Sequence, residues 1–272
     1  LDHLARRGCH GALLLGTTGE GPSFSARERL DLCRAALEVR VTHPGFRLLA
    51  GTGTPSLDET IQLTSAAFSL GFDGAVVLPP YFFRQVTDEG LFAWYEAVLR
   101  RAVPRGGTLL GYHIPGVSGV PLSLDLLARL RSGYPEQFGG IKDSSADRGW
   151  AQALGQRFGD RLLVLNGTDS LLDDALDAGA QGCITAAANL ISPDLRQVWD
   201  AHRGHGDRSE PMVRVRAARA ALERHPPLPA IVKALLARLF DFPRWPVRLP
   251  LRAATREAED DVAAAFLATG IR

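Results

Sequence analysis

The chain has 272 residues, 46% of them hydrophobic and 22% charged, enough apolar material for one large core or two modest ones. A formal net charge of +1, with both signs spread along the chain, builds no broad basic field and argues against nucleic acid or an anionic membrane surface as partner. Apolar runs such as Leu13-Leu14-Leu15 and Ala75-Val76-Val77-Leu78 are far too short to span a bilayer, and the three cysteines, Cys9, Cys33 and Cys183, have neither metal-site nor disulfide spacing. With no signal peptide at the start, a cytoplasmic location is expected.

The chain begins at Leu1 and its only methionine is Met212, so a natural N-terminus upstream is expected. Residues 1–7 read as the tail of a helix. Short apolar runs then alternate with longer amphipathic ones, the rhythm of β-α units around a parallel sheet. Seven strands are predicted, at 11–15, 46–51, 73–79, 107–112, 138–142, 161–165 and 181–185. Helical stretches between them include 26–40, 57–70, 88–103, 122–130 and 170–178. Ser25 three residues before Glu28 resembles a capping box, and Ser192-Pro193 a cap followed by a first-turn proline. Further helices are expected at 209–224, 228–240 and 252–267.

Seven units are one short of the eight that close a barrel, so the spacing predicts a (β/α)8 TIM barrel lacking its first strand, with two open sheet edges to be covered. The barrel is expected over residues 1–205, with a helical extension, 206–272, packed on it. No low-complexity linker and no repeat beyond the β-α rhythm is evident.

Only two of the thirty-one basic residues are lysines, Lys142 and Lys233. Arginine serves for surface charge but stays protonated and cannot act as an amine nucleophile, so Lys142 reads as kept for its amine. In a TIM barrel the active site lies at the C-terminal strand ends. The first run ends in Gly16-Thr17-Thr18-Gly19-Glu20, the fourth in Gly111-Tyr112-His113-Ile114-Pro115, and the fifth in Ile141-Lys142-Asp143. Neighbouring strands about 4.8 Å apart bring the Tyr112 hydroxyl near the Lys142 amine. Desolvation would leave free amine there to form an imine with a ketone, with Tyr112 shuttling protons. The glycine-threonine turn offers backbone N–H groups and the Thr17 and Thr18 hydroxyls to a carboxylate, and pyruvate would fit. The protonated imine is its own electron sink, so neither metal nor further cofactor is needed.

Other features have plainer readings. Lys233 reads as a surface or packing residue. Gly51-Thr52-Gly53, with Ser56 where a nucleotide loop needs glycine, reads as a strand-end turn. His202 and His205 have no third ligand nearby and read as loop histidines. Arg214, Arg216, Arg219 and Arg224 read as a solvated helix face.

Together these motifs resemble the dihydrodipicolinate synthase and N-acetylneuraminate lyase family of pyruvate-dependent class I aldolases. The likeness extends through Leu78-Pro79-Pro80-Tyr81, Asn166-Gly167-Thr168-Asp169, Gly182-Cys183-Ile184-Thr185, Ala188-Asn189 and Pro246-Val247-Arg248-Leu249-Pro250-Leu251, and so covers nearly the whole chain. The resemblance implies Lys142 as Schiff-base lysine, Tyr112 as proton relay, Thr17 and Thr18 as carboxylate binders beside Gly16, and the Ile184 backbone in the pyruvate pocket. It also implies a homotetramer built as a dimer of dimers.

Departures from the family pattern narrow the branch. Val117 stands where synthases carry an arginine that grips the carboxylate of aspartate semialdehyde. Losing such a charge-assisted pair is worth roughly 1.5–3 kcal/mol, about tenfold to a hundredfold in affinity. Gly167-Thr168-Asp169-Ser170 stands where sialate lyases show Gly-Tyr-Asp-Glu. Phe82 replaces a tyrosine that reaches into the neighbouring subunit and joins a relay with Thr17 and Tyr112; Tyr81 is the fallback if the alignment slips by one. His113 replaces a common asparagine and, being next to Tyr112 on a strand, should face away from it. The resulting expectation is reversible cleavage of a 2-keto-3-deoxy sugar acid, or similar 4-hydroxy-2-keto acid, to pyruvate and an aldehyde. The loops around Val117, Ser118, Ser144 and Thr168 would set aldehyde length and stereochemistry. The alternatives are 4-hydroxy-tetrahydrodipicolinate synthesis and keto-acid binding without turnover.

Overall fold

The computed structural model describes residues 1–270. Its seven strands are β1 (Gly11–Leu14), β2 (Arg47–Gly51), β3 (Gly74–Val77), β4 (Thr108–His113), β5 (Phe138–Asp143), β6 (Leu163–Asn166) and β7 (Gly182–Cys183), in sequential order within one sheet. Every neighbouring pair is parallel. Parallel neighbours need crossovers, supplied by helices such as Ala26–Ala36, Leu57–Ser69, Asp88–Ala102, Leu124–Gly133 and Arg148–Phe158. This is the predicted TIM-barrel plan, and all seven predicted strands are present.

The helix starts follow local chemistry. Ser25 Oγ accepts the Glu28 N–H at 3.3 Å while Ser25 N–H donates to Glu28 Oε2 at 2.9 Å, the expected capping box. Ser56, Thr87, Ser123, Asp147 and Thr255 cap later helices through their side chains. Thr255 therefore starts the last helix at Arg256, after the predicted 252. Ser192 does not cap. The segment Ala188–Arg203 is two helices meeting at a kink at Ile191 (φ −119°, ψ 25°), and Ser192, just past the break, is buried beside Cys9. Pro193 therefore falls in the first turn of the second helix, as expected, where its missing N–H has no partner to lose.

Strand alternation sorts the side chains into two layers. Leu13, Leu49, Val76, Leu110, Tyr112, Leu163 and Leu165 form one cluster inside the curled sheet. On the outer face Ala75, Val77, Leu109, Ile141 and Val164 pack against helix residues such as Leu91, Tyr95, Leu126 and Leu127. Among the described residues the sheet does not close, since β1 pairs only with β2 and β7 only with β6. All four residues of β1 are half-buried, whereas all four of β3 are buried.

Helices Ser209–Leu222, Leu228–Phe240 and Arg256–Leu267 share an apolar cluster with Leu172, Leu176 and Leu190, through Met212, Val215, Ile231, Val262 and Phe266. The arginine face is solvated at Arg216 and Arg224, as expected, half-buried at Arg214 and Arg219, and ion-paired throughout. Arg214 reaches Asp194 at 2.6 Å, Arg219 reaches the fully buried Asp169 at 3.4 Å, Arg216 meets Asp173 at 2.5 Å and Arg224 meets Asp261 at 3.0 Å. The carboxylates come from elements distant in sequence, which periodicity along one helix cannot reveal. No helix among the described residues is long and apolar enough to cross a membrane.

Candidate active site

Tyr112 on β4 and Lys142 on β5 are register partners, so both project from the same face at the C-terminal strand ends. Both are buried, with the Lys142 Nζ 3.9 Å from the centroid of the Tyr112 ring. The Tyr112 hydroxyl lies 3.2 Å from Thr17 Oγ1 and also bonds to the Ser144 hydroxyl. Three sequence-distant motifs therefore meet at one phenol.

Burial lowers the Lys142 pKa from its ordinary value, and the opposing pull of Tyr112 does not cancel this. Burial raises that of Tyr112, but the Lys142 charge and the bonds from Lys142, Thr17 and Ser144 outweigh it, leaving the phenol below its ordinary value. The two groups are thus drawn toward each other in acidity, which suits proton exchange between them.

The turn carrying Thr17 and Thr18 leaves β1 with Leu15 at φ 60° and ends with Glu20 at φ 55°, both left-handed. It is pinned by Glu20 N–H to the Thr17 carbonyl and Gly21 N–H to the Gly16 carbonyl, each 3.1 Å. A Cβ at Gly21 would lie 2.0 Å from the Leu15 carbonyl oxygen, so only glycine fits there. Thr17 is exposed and Thr18 half-buried.

Glu20 is almost completely buried. Its carboxylate forms an ion pair with Lys233 and accepts the Arg248 N–H at 2.6 Å. Lys233 also donates to the Pro246 carbonyl at 2.8 Å, so the second lysine is an anchor on the turn and not the surface or packing residue expected. The signal available in the sequence was the rarity of lysine itself.

After β4 the short helix Pro115–Ser118 closes at Gly119, φ 68°. Val117 is 59% exposed at this turn and open to a ligand. Ser118 is not. Its hydroxyl meets the Ile114 and Val120 carbonyls and the Val120 N–H, each at 3.1 Å, so it holds the turn together and is not free to read substrate.

Asn166, unmarked as a site residue in the sequence reading, organises the far side. Its side chain bonds Thr168 N–H at 3.0 Å and the Thr168 carbonyl at 2.7 Å, while its carbonyl accepts Ile184 N–H at 2.8 Å. Of the Ile184 backbone, the N–H is thereby taken and the carbonyl is left for a ligand. Gly167 lets this turn approach Ser144, whose Oγ would stand 1.8 Å from a Cβ there.

The alternating residues His113 and Asp143 face the outer layer. His113 Nδ1 accepts the Leu122 N–H at 3.0 Å and its ring stacks on Trp150, 4.7 Å between centroids; burial lowers its pKa to about 4. The Asp143 carboxylate accepts Ser145 N–H at 3.0 Å, and burial pushes its pKa up. Phe82 and Phe83 are each 75% exposed, edge to face at 5.2 Å. Tyr81, the fallback relay residue, sits near Arg29 and Glu59. His202 Nδ1 lies 3.2 Å from Arg208, and among the described residues no three His, Cys, Asp or Glu side chains gather as a metal site.

A sheet of parallel β-α units with polar groups converging at the C-terminal strand ends is the frame in which TIM barrels carry catalysis. The chain matches the model of the dihydrodipicolinate synthetase family over residues 1–269. It is 37% identical to an uncharacterised DapA-like lyase of Chloroflexus aurantiacus, over 98% of this chain and 87% of that one. To a 4-hydroxy-tetrahydrodipicolinate synthase of a Synechococcus species it is 31% identical, again over 98% and 87%. The crystal structure of dihydrodipicolinate synthase from Agrobacterium tumefaciens superposes with a TM-score of 0.84 at 30% identity, covering 98% of this chain and 89% of that one. The chain belongs to the dihydrodipicolinate synthetase family and is a lyase of that family.

Proposed function

We propose that the protein is a Schiff-base aldolase that reversibly cleaves a 2-keto-3-deoxy sugar acid, or similar 4-hydroxy-2-keto acid, to pyruvate and an aldehyde. The observation carrying this reading is the buried Lys142 amine over the Tyr112 ring, with the Tyr112 hydroxyl bonded to Thr17. Lys142 Nζ attacks the C2 carbonyl, water is lost, and a protonated imine forms. The Tyr112 oxygen takes the C4 hydroxyl proton, the C3–C4 bond breaks, and its electron pair moves into the imine to give the enamine as the aldehyde departs. Protonation at C3 and hydrolysis release pyruvate and the amine. The imine takes up the electrons itself, so the step calls for no added cofactor. The Gly16-Thr17-Thr18 turn would hold the carboxylate, with Val117, Ser144 and Thr168 bordering the aldehyde.

Val117 and Phe82 favour cleavage over synthesis from aspartate semialdehyde, because neither binds a carboxylate or carries a proton. The synthase reading remains the second one, supported by the 31% identity to a protein of that name. The exposed Phe82–Phe83 pair supports assembly of the proposed homotetramer, a dimer of dimers. The proposed location is the cytoplasm.

The test is borohydride reduction with pyruvate followed by peptide mapping, with Lys142→Arg as control. A pyruvyl adduct on Lys142, absent from the control, is expected, and would be followed by a screen of keto acids including the aspartate semialdehyde condensation. No adduct on the folded protein would overturn the imine mechanism, and an adduct without turnover of any candidate would leave keto-acid binding alone.

A further inference from the structure

The chain's two lysines stand at the ends of one continuous line of contacts. Lys233, on the helix Leu228–Phe240, pairs with the Glu20 carboxylate. The Glu20 N–H donates to the Thr17 carbonyl at 3.1 Å, Thr17 Oγ1 lies 3.2 Å from the Tyr112 hydroxyl, and the Tyr112 ring lies 3.9 Å from Lys142 Nζ. The Lys233–Glu20 contact is protected, since the Glu20 side chain is 2% exposed and that of Lys233 is 26%. A carboxylate so enclosed is held charged only with a partner, because burial strips its solvation and nothing else replaces it.

Most ion pairs elsewhere in the molecule use arginine, and Arg238, on the same helix as Lys233, makes an exposed pair with Asp260 of the helix Arg256–Leu267. At Glu20 the compact ammonium reaches both the carboxylate and the Pro246 carbonyl, while the second carboxylate oxygen takes the Arg248 N–H. These three partners lie on the C-terminal extension, and together they hold a turn with two residues in left-handed backbone conformations, Leu15 and Glu20. Such conformations are strained for residues that carry a side chain and persist only where surroundings over-determine them.

We infer that Lys233 is a positioning residue for the proposed reaction: through Glu20 it fixes the turn that sets Thr17 against Tyr112 and presents Thr17 and Thr18 to the substrate carboxylate. This rests on the imine reading above. It makes the helical extension part of the working site even though none of its side chains touches the substrate.

The experiment measures pyruvate trapping on Lys142 by borohydride as a function of pyruvate concentration and pH, in the full chain. Lys233→Met removes the charge and keeps the stem. Glu20→Gln neutralises the other partner and keeps its acceptor for Arg248, and serves if Lys233→Met does not fold. Arg238→Ala breaks an unrelated pair made from the same helix and controls for general loosening of the extension. The expected result is a rise of about tenfold in half-saturating pyruvate and a displaced pH profile for trapping, in Lys233→Met and Glu20→Gln alike. The two effects should be non-additive in the double variant, and Arg238→Ala should match the parent. A lowered melting temperature with unchanged half-saturation and pH profile would mean a merely structural pair and would overturn the inference. Absence of the adduct in the parent protein would instead overturn the imine reading on which it rests.

Discussion

Lys142 lies over the face of the Tyr112 ring, Nζ 3.9 Å from its centroid, while the phenolic oxygen reaches Thr17 Oγ1 at 3.2 Å. The ring meets Lys142 by its face, and the hydroxyl joins Lys142 to Thr17 and Ser144. The ring face favours the ammonium, a cation–π contact worth about 2 kcal/mol when desolvated, and the hydroxyl forms the link to the turn.

Tyr112→Phe separates these effects. It keeps the ring under Lys142 and removes the proton carrier, so trapping of pyruvate on Lys142 should persist while turnover falls by about 10²–10⁴-fold. Comparing adduct yield with steady-state rate checks this; equal losses in both would deny Tyr112 a separate proton role.

Thr17→Val breaks the link from the other side. Turnover should drop by about tenfold or more, with a smaller change in adduct yield than in a Thr17 and Thr18 double replacement, which also removes the second hydroxyl offered to the carboxylate. Pyruvate titration of each variant under borohydride reads the difference.

His113 gives a prediction about acid stability. Burial holds its pKa at about 4 against an ordinary value of 6.5, so the folded state favours neutral imidazole. The unfolded chain binds the proton first as pH falls, and stability, complete above pH 6.5, is lost progressively down to about pH 4, by up to about 3 kcal/mol. His113→Asn should flatten that part of the curve; denaturant melts at pH 7 and pH 4.5 would show it, and an unchanged slope would assign acid sensitivity elsewhere.

Val117→Arg tests specificity. The side chain at this position is open at the turn following β4, so a guanidinium there can meet a distal carboxylate. Activity toward aspartate semialdehyde should rise by about tenfold to a hundredfold in kcat/KM relative to a neutral aldehyde. No change in that ratio would place the discriminating contact in another loop.

Phe82→Asp with Phe83→Asp should shift sedimentation toward smaller species if the exposed aromatic pair is buried on assembly. Unchanged sedimentation would remove this face from the proposed interface.

The order and type of the seven strands were legible because each is a short apolar run bounded by longer amphipathic ones, and the outward turn of His113 followed from alternation alone. Interactions between distant segments were not. Lys233 reads as surface from its own helix, because Glu20 lies on the far side of the sequence. Ser118 looked free for substrate, yet the turn it sits in consumes its hydroxyl through Ile114 and Val120. Asn166 drew attention only as part of a motif, and its hold on both Thr168 and Ile184 depends on β6 and β7 ending side by side. Sequence periodicity reports which face a residue takes; it does not report who waits there.

The scarcity of lysine also bears on chemical durability. Free aldehydes condense readily with accessible side-chain amines and, as simple aldehydes, far less with guanidinium groups. Of the two side-chain amines in this chain, one is enclosed at the strand ends and the other is held against a buried carboxylate, so an aldehyde released nearby meets few amines here with which to condense.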